Sequence, residues 1–537
     1  MASIPASTCT VRPFVDHIRP LCFYFLPSMI RSPLFVRLLV RLSAALLIVS
    51  IVSEPRALAA EEDKDKNKPA EKDEKNDKET KSVTEGEVVI AGQKINYTAT
   101  AGTLPLTRVD GEKRASVFYI SYEKKNVGDG GQRPVTFCFN GGPGSSSVWL
   151  HLGAFGPRRV VLPPGGVDAP VPPYEMAANE YSLLDVTDLV FIDPVSTGFS
   201  RAAKPDEARQ FHGYTEDLEA VGEFIRRYVS VNNRWGSPKF LAGESYGGLR
   251  AAGLAGHLQE RYGMYLNGIA IVSGVIDFKT LSADPGNDVP HTGYLSAMAA
   301  TAHFHQKLPP DLQQADVRKV VQLASDYAQG EYAAALFRGY ALPAEKVAEV
   351  AAQLSRLTGL PADLWVRERL RVGPNTFRQK LLEKENKVVG RFDARATADA
   401  SSNEDPSYTN IYGAYATLLN AYVRGELKYE SDLAYEVLTR DVQPWSYAGF
   451  AGRYVSSAPA LAEAMTNNPS LRVFVACGHY DLATPAGGIE YTLNHLPVDP
   501  ARRTNLSIAS YEGGHMMYST LESLARLNAD LRAFMTR

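Results

Sequence analysis

The chain has 537 residues, long for a single domain, and 45% of them are hydrophobic, which is ample for a sizeable buried core. Its formal net charge is −3, so no large basic surface is available for nucleic acid, and that class of partner is excluded.

The amino terminus has the pattern of an export signal. Arg31, Arg37 and Arg41 precede the apolar run Leu42 to Val52, and Ala57-Leu58-Ala59 offers small residues at a cleavage site. Residues 1–59 are therefore read as a signal peptide; the segment has ordinary length only when counted from Met29, which points to Met29 as the true start. The apolar run is shorter than the roughly 20 residues of a membrane span, so no stable span is expected after cleavage, an uncleaved anchor being the alternative. The expected location is the periplasm or the exterior. Residues 60–84, dominated by Glu, Asp, Lys and Asn, are expected to form a disordered leader. Of four cysteines, Cys9 and Cys22 precede the cleavage site, and Cys138 and Cys477 lie in apolar runs that read as separate buried thiols, a disulfide between them being the alternative.

From Glu87 to Tyr122 short β-rich runs alternate with turn residues, as antiparallel edge strands do. Buried-looking runs follow at Val135 to Phe139, Leu189 to Ile192, Phe240 to Ala242 and Ile269 to Val272, with helical stretches such as Tyr214 to Val229 and Leu249 to Tyr262 between them. This alternation predicts an α/β fold with a mostly parallel sheet over residues 85–276. Residues 277–445 change character: Leu312 to Tyr332 and Pro343 to Leu357 read as helices and strand signals nearly vanish, so a helical cap is expected there. The sheet pattern resumes over 446–537, with strands at Val473 to Ala476 and Leu506 to Ile508, which favours an insertion over an independent domain.

Gly243-Glu244-Ser245-Tyr246-Gly247 closes the run that ends at Ala242. A serine between glycines at a strand end is the pattern of a nucleophile elbow, where small neighbours permit a sharp turn that exposes the hydroxyl. A glycine-rich loop holding an incidental serine is the alternative. The rest of the constellation follows in the order Ser, Asp, His expected on an α/β-hydrolase scaffold. Asp481 lies just past one strand, and His515, preceded by Gly513 and Gly514, lies just past another. His495 reads as a surface group at a helix end, and His479 as a residue lining the site. Oxyanion donors are expected from the Tyr246 amide and from the loop Asn140-Gly141-Gly142-Pro143-Gly144, which also reads as an ordinary turn. No metal site and no cofactor are implied; His303 and His305 have no carboxylate or cysteine partner in the sequence and suit a cap surface.

With these residues assembled, the chain resembles the serine carboxypeptidase family. Asn140 to Ser147 resembles the N-G-G-P-G-C-S-S signature, Gly243 to Gly248 the G-E-S-Y-[AG]-G elbow, and Leu189 to Ser200 the strand and loop between them. The resemblance implies an α/β-hydrolase fold, a Ser245–Asp481–His515 triad, oxyanion amides from Gly142 and Tyr246, and a grip on the substrate's terminal carboxylate by Asn140, Gly141 and Glu244. A carboxylic acid kept protonated can donate to a carboxylate, which explains the family's preference for acidic pH. The chain departs from the pattern at three positions: Ala154 stands where family members commonly carry a second glutamate, Cys138 where they carry tryptophan, and Ser145 where the signature has cysteine. The implied activity is removal of carboxy-terminal residues from a peptide or protein with a free carboxyl terminus. The alternatives are an esterase or acyltransferase on the same scaffold and a non-catalytic binding protein.

Overall fold

A computed structural model of the protein describes residues 81–128 and 130–537. The expected signal peptide and most of the expected leader lie outside these residues. Lys81 to Thr84, assigned to the leader, instead begin the first strand. A main-chain ladder pairs them with Gly102 to Ala99, and Ser82 donates to the Leu427 carbonyl at 2.7 Å; an edge ladder of this kind does not require apolar side chains.

Ten strands form one sheet: β1 (Lys81–Ile90), β2 (Gln93–Thr107), β3 (Lys113–Lys124), β4 (Val135–Phe139), β5 (Asp188–Ile192), β6 (Arg201–Ala202), β7 (Lys239–Glu244), β8 (Gly268–Val272), β9 (Arg472–Gly478) and β10 (Leu506–Tyr511). In space they run β1-β2-β3-β5-β4-β7-β8-β9-β10, with β6 beside β3. The pairings among β1, β2, β3, β5 and β6 are antiparallel, and those from β5 through β4 to β10 are parallel, as the sequence pattern predicts. Strands β4, β5, β7 and β8 are buried along their whole length because helices cover both faces. The expected buried run at Leu506 to Ile508 is the exception: it is the edge strand β10, and Ile508 is exposed.

Successive residues of the central strands enter different cores. Cys138, Phe240, Ala242, Val272 and Ala476 face one; Phe137, Phe139, Leu241, Ile271 and Cys477 face the other. The second face is covered by α1 (Tyr214–Val231) and α2 (Tyr246–Tyr262). The stretch expected to be a cap divides in two. Residues 294–394 close around a core of their own that includes α3 (Val289–Phe304) and α4 (Ala344–Thr358). The helix α5 (Pro406–Gly425) instead packs Ile411, Tyr415 and Leu419 into the first core of the sheet, to which α6 (Leu521–Thr536) also contributes. Among the described residues no helix is long and apolar enough to cross a membrane.

One buried ion pair positions the loop that follows β4. Arg250 on α2 meets Asp217 on α1 at 2.7 Å, both side chains almost wholly buried, and its Nη1 donates to the Asn140 carbonyl at 2.6 Å. The guanidinium lies over the rings of Phe139 and Tyr246 at 5.2 and 5.4 Å. Replacing Arg250 with Met leaves Asp217 buried without its partner, so urea denaturation of R250M is expected to show a loss of about 3–5 kcal/mol. The double variant D217L/R250M is expected to lose less than R250M alone, because no unpaired charge remains.

Candidate active site

Four loops at the carboxyl edge of the parallel strands meet at one place. Asn140 follows β4, Ser245 follows β7, Asp481 stands three residues past β9 and His515 four past β10. A cavity of about 380 Å³ is lined by Asn140, Gly141, Gly142, Glu244, Ser245 and His515.

Ser245 is the hinge between β7 and α2, at φ 62° and ψ −126°. A non-glycine residue there carries strain on the order of 1–3 kcal/mol, held by the strand on one side and the helix on the other. The Ser245 amide donates to the Val272 carbonyl at 3.1 Å, and its carbonyl accepts from Gly248 at 2.9 Å. Gly141 has to be glycine because a Cβ there would come within 2.8 Å of the Glu244 carbonyl and closer still to the Tyr246 amide nitrogen. The glycine loop therefore lies directly on the elbow. The Tyr246 N–H belongs to the first turn of α2, whose amides have no partner within the helix, and Gly142 lines the same cavity.

Asp481 is fully buried and its carboxylate is fixed by several donors. The amides of Ala483 and Thr484 donate to Oδ1 at 2.7 and 3.0 Å, and His515 Nδ1 donates to Oδ2 at 2.8 Å. The Thr484 hydroxyl lies 2.9 Å from the same oxygen and 2.7 Å from the Ser273 carbonyl. Burial opposes charge on the imidazole, but the charge and hydrogen bond of Asp481, with the charge of Glu244, outweigh it and raise the His515 pKa above its ordinary value. Among the described residues no hydrogen bond joins Ser245 Oγ to His515, although both face the cavity. Such bonds are often long before substrate arrives.

Glu244 precedes the serine and is 3% exposed. Burial pushes its pKa up to about 7, against the opposing influence of His515 and of the Tyr518 hydroxyl, which donates to Oε2 at 2.5 Å. Asn140 faces the same space: its Oδ1 accepts from the Leu150 amide at 3.1 Å, while its buried Nδ2 has no partner. A carboxyl whose pKa is raised and an amide N–H that line one small cavity are both groups able to donate to an anion.

The structure also brings in residues that no sequence motif marked. The His515 loop is clamped from the inserted segment: Phe392 accepts from the His515 amide at 2.5 Å, its ring lies 5.2 Å from the imidazole, and Asp393 accepts from Gly514 at 3.0 Å. Trp149, whose indole donates to Ser145 Oγ at 3.1 Å, packs against Tyr415 of α5 with the rings tilted by 49° and lines the cavity. Tyr518 carries no motif, and its only signal is its place three residues past His515. His479, expected to line the site, does not. It is buried against Tyr480 away from the cavity, and burial lowers its pKa to about 4. His495 is exposed at a helix end as expected. His303 and His305 make hydrogen bonds to the carbonyls of Ala315 and Ala394. Cys138 and Cys477 are free and buried.

The model of the serine carboxypeptidase family matches residues 92–523. The pheromone-processing carboxypeptidase KEX1 of Saccharomyces cerevisiae is 32% identical over 159 residues, which is 28% of this chain and 20% of the relative. The protein of the same name from Cryptococcus gattii is 32% identical over 196 residues, covering 33% of this chain and 27% of the relative. The chain thus matches only about a quarter of the length of these relatives. The crystal structure of a prohormone-processing carboxypeptidase from Saccharomyces cerevisiae superposes with a TM-score of 0.53 at 17% identity, over 82% of this chain and 91% of that one. The match along most of the chain and the shared fold lead to one conclusion: this protein belongs to the serine carboxypeptidase family and has the α/β-hydrolase fold.

Proposed function

We propose that the protein is an exported serine carboxypeptidase that removes carboxy-terminal residues through an acyl-enzyme on Ser245. The observation that carries this reading is the carboxylate receptor, in which the buried Glu244 and the unpartnered Asn140 Nδ2 share one cavity with Ser245 and His515. An esterase needs the nucleophile and its base; it has no use for a buried acid adjoining them.

In the proposed reaction the substrate's terminal carboxylate accepts from Asn140 Nδ2, the Gly141 amide and protonated Glu244, which sets the last peptide bond beside Ser245. Ser245 Oγ attacks the carbonyl carbon and passes its proton to His515 Nε2. Asp481 holds the ring in the tautomer that leaves Nε2 free to accept, and stabilises the imidazolium that forms. The amides of Gly142 and Tyr246 stabilise the oxyanion, and loss of one such donor costs about 10²–10³ in turnover. The imidazolium gives its proton to the departing amino group. Water then enters, is deprotonated by His515, and releases the shortened peptide.

Export rests on the segment around Arg31 to Ala59, which lies outside the described residues. Mass spectrometry of the mature protein is expected to find its amino terminus beyond Ala59.

A blocked dipeptide with a free carboxyl terminus is expected to be cut about 10²-fold faster in kcat/KM than its carboxyamide, the value of a hydrogen-bonded charged group. Equal rates would overturn the carboxylate receptor, and ester turnover without peptide turnover would make the protein an esterase. The pH profile supplies a further check. The raised pKa of Glu244 means that its proton is lost as pH rises through about 7, after which its charge repels the substrate. With the free acid, kcat/KM should therefore fall above about pH 7 through a rise in KM, and a neutral ester substrate should show no such descending limb.

A further inference from the structure

Glu244 has two oxygens but only one can face a substrate, and the side chain behind it decides which. Tyr518 is wholly buried and does not line the cavity, yet its hydroxyl donates to Glu244 Oε2 at 2.5 Å. An oxygen that accepts from a phenol cannot also direct a carboxyl proton along the same line. The carboxyl proton is therefore left for Oε1, the oxygen that remains free for a ligand.

The room for this phenol is written into the helical turn that opposes it. A Cβ on Gly153 would lie 2.5 Å from Tyr518 Cε2 and 2.7 Å from the Tyr415 hydroxyl, so any larger residue there would drive the ring away. Ala154 beside it is fully buried and has no polar side-chain atom to offer Glu244. Two small residues on one side and a tyrosine on the other thus supply Glu244 with a hydrogen-bond donor from behind. That donor persists across the working pH range, because burial and then the charge of Glu244 hold the phenol pKa well above its ordinary value.

We propose that Tyr518 is a positioning residue for carboxylate recognition: by occupying Oε2 it fixes the orientation of the Glu244 carboxyl and directs the acid's proton towards the substrate. The inference rests on the carboxypeptidase reading above and adds to it the group that makes the receptor directional. The groups facing Glu244 are His515 and Asp481 on the neighbouring loops, Tyr518, the Asn140 amide, and Tyr415 of α5. Of these, the charge of His515, the Tyr518 bond and the Asn140 amide favour the ionised form of Glu244, and the charge of Asp481 opposes it. Removal of the Tyr518 bond therefore raises the Glu244 pKa further and carries the acid's proton to higher pH, while the carboxyl loses its fixed direction.

The test is Y518F in the full-length protein, with a melting curve to confirm folding. Labelling of Ser245 by a fluorophosphonate and turnover of a neutral ester are expected to stay within about two-fold of wild type, because the triad does not contact the hydroxyl. For the blocked dipeptide acid, KM is expected to rise about 10- to 100-fold with a smaller change in kcat, and the preference over the carboxyamide to collapse accordingly. The descending limb of the pH profile is expected to move upward; a purely structural contact would lower activity without moving it. Should Y518F not fold, G153A, which displaces the ring but keeps the hydroxyl, is expected to give the same loss of acid preference. A wild-type enzyme that prefers the free acid, with Y518F or G153A preferring it equally and keeping the limb in place, overturns the assignment of Tyr518 alone. A wild-type enzyme with no acid preference overturns the carboxypeptidase reading, and this assignment with it.

Discussion

The site depends on a charge that is never exposed. Arg250 is held on α2 by Asp217, sandwiched by Phe139 and Tyr246, and bonded to the Asn140 carbonyl. It thereby links three elements that distant parts of the chain supply: the end of β4, the start of the elbow helix and α1. A buried pair of this kind contributes little net stability compared with an apolar replacement, since desolvation consumes most of the Coulombic gain. Its effect is on geometry. The glycine loop and the elbow both touch Arg250, so Asn140 and the start of the elbow helix keep a constant separation.

The parallel sheet then extends that geometry outward. Strands about 4.8 Å apart present their carboxyl ends to one edge, so loops from β4, β7, β9 and β10 converge without any of them being long. The inserted segment does more than cover this edge. Through Phe392 and Asp393 it holds the His515 loop from above, while Asp481 and Thr484 hold the ring from below. His515 is therefore fixed by both the sheet and the insertion, although neither contact is local in sequence.

What could be read in advance follows from this division. Ser245, Asp481 and His515 stand at strand ends beside glycines, and such local patterns survive without any knowledge of packing. The alternation of strands and helices likewise revealed the parallel sheet, because burial on both faces leaves unbroken apolar runs. Tyr518, Trp149 and Phe392 had no local mark, since their roles come from neighbours hundreds of positions away or from space left by Gly153. The same limitation misplaced His479, whose sequence neighbour Asp481 reaches the site while its own ring turns aside. It also hid the division of the stretch 277–445, where α5 has the same helical pattern as the insertion but packs on the sheet. Lys81 to Thr84 misled in the opposite sense: they adjoin a run of charged residues and read as its continuation, whereas a strand edge asks only for backbone groups to pair.

The two thiols carry a last consequence. Cys138 on β4 and Cys477 on β9 face opposite cores and are separated by β7 and β8, a distance of about 14 Å at ordinary strand spacing. A disulfide needs Cα atoms within about 7 Å, so these two cannot join without dismantling the sheet. Among the described residues the folded state therefore contains no bond whose formation depends on an oxidant. The body that carries Ser245, Asp481 and His515 thus keeps its two thiols apart on opposite faces of one sheet, and among the described residues packing and hydrogen bonds rather than a covalent cross-link hold its strands in order.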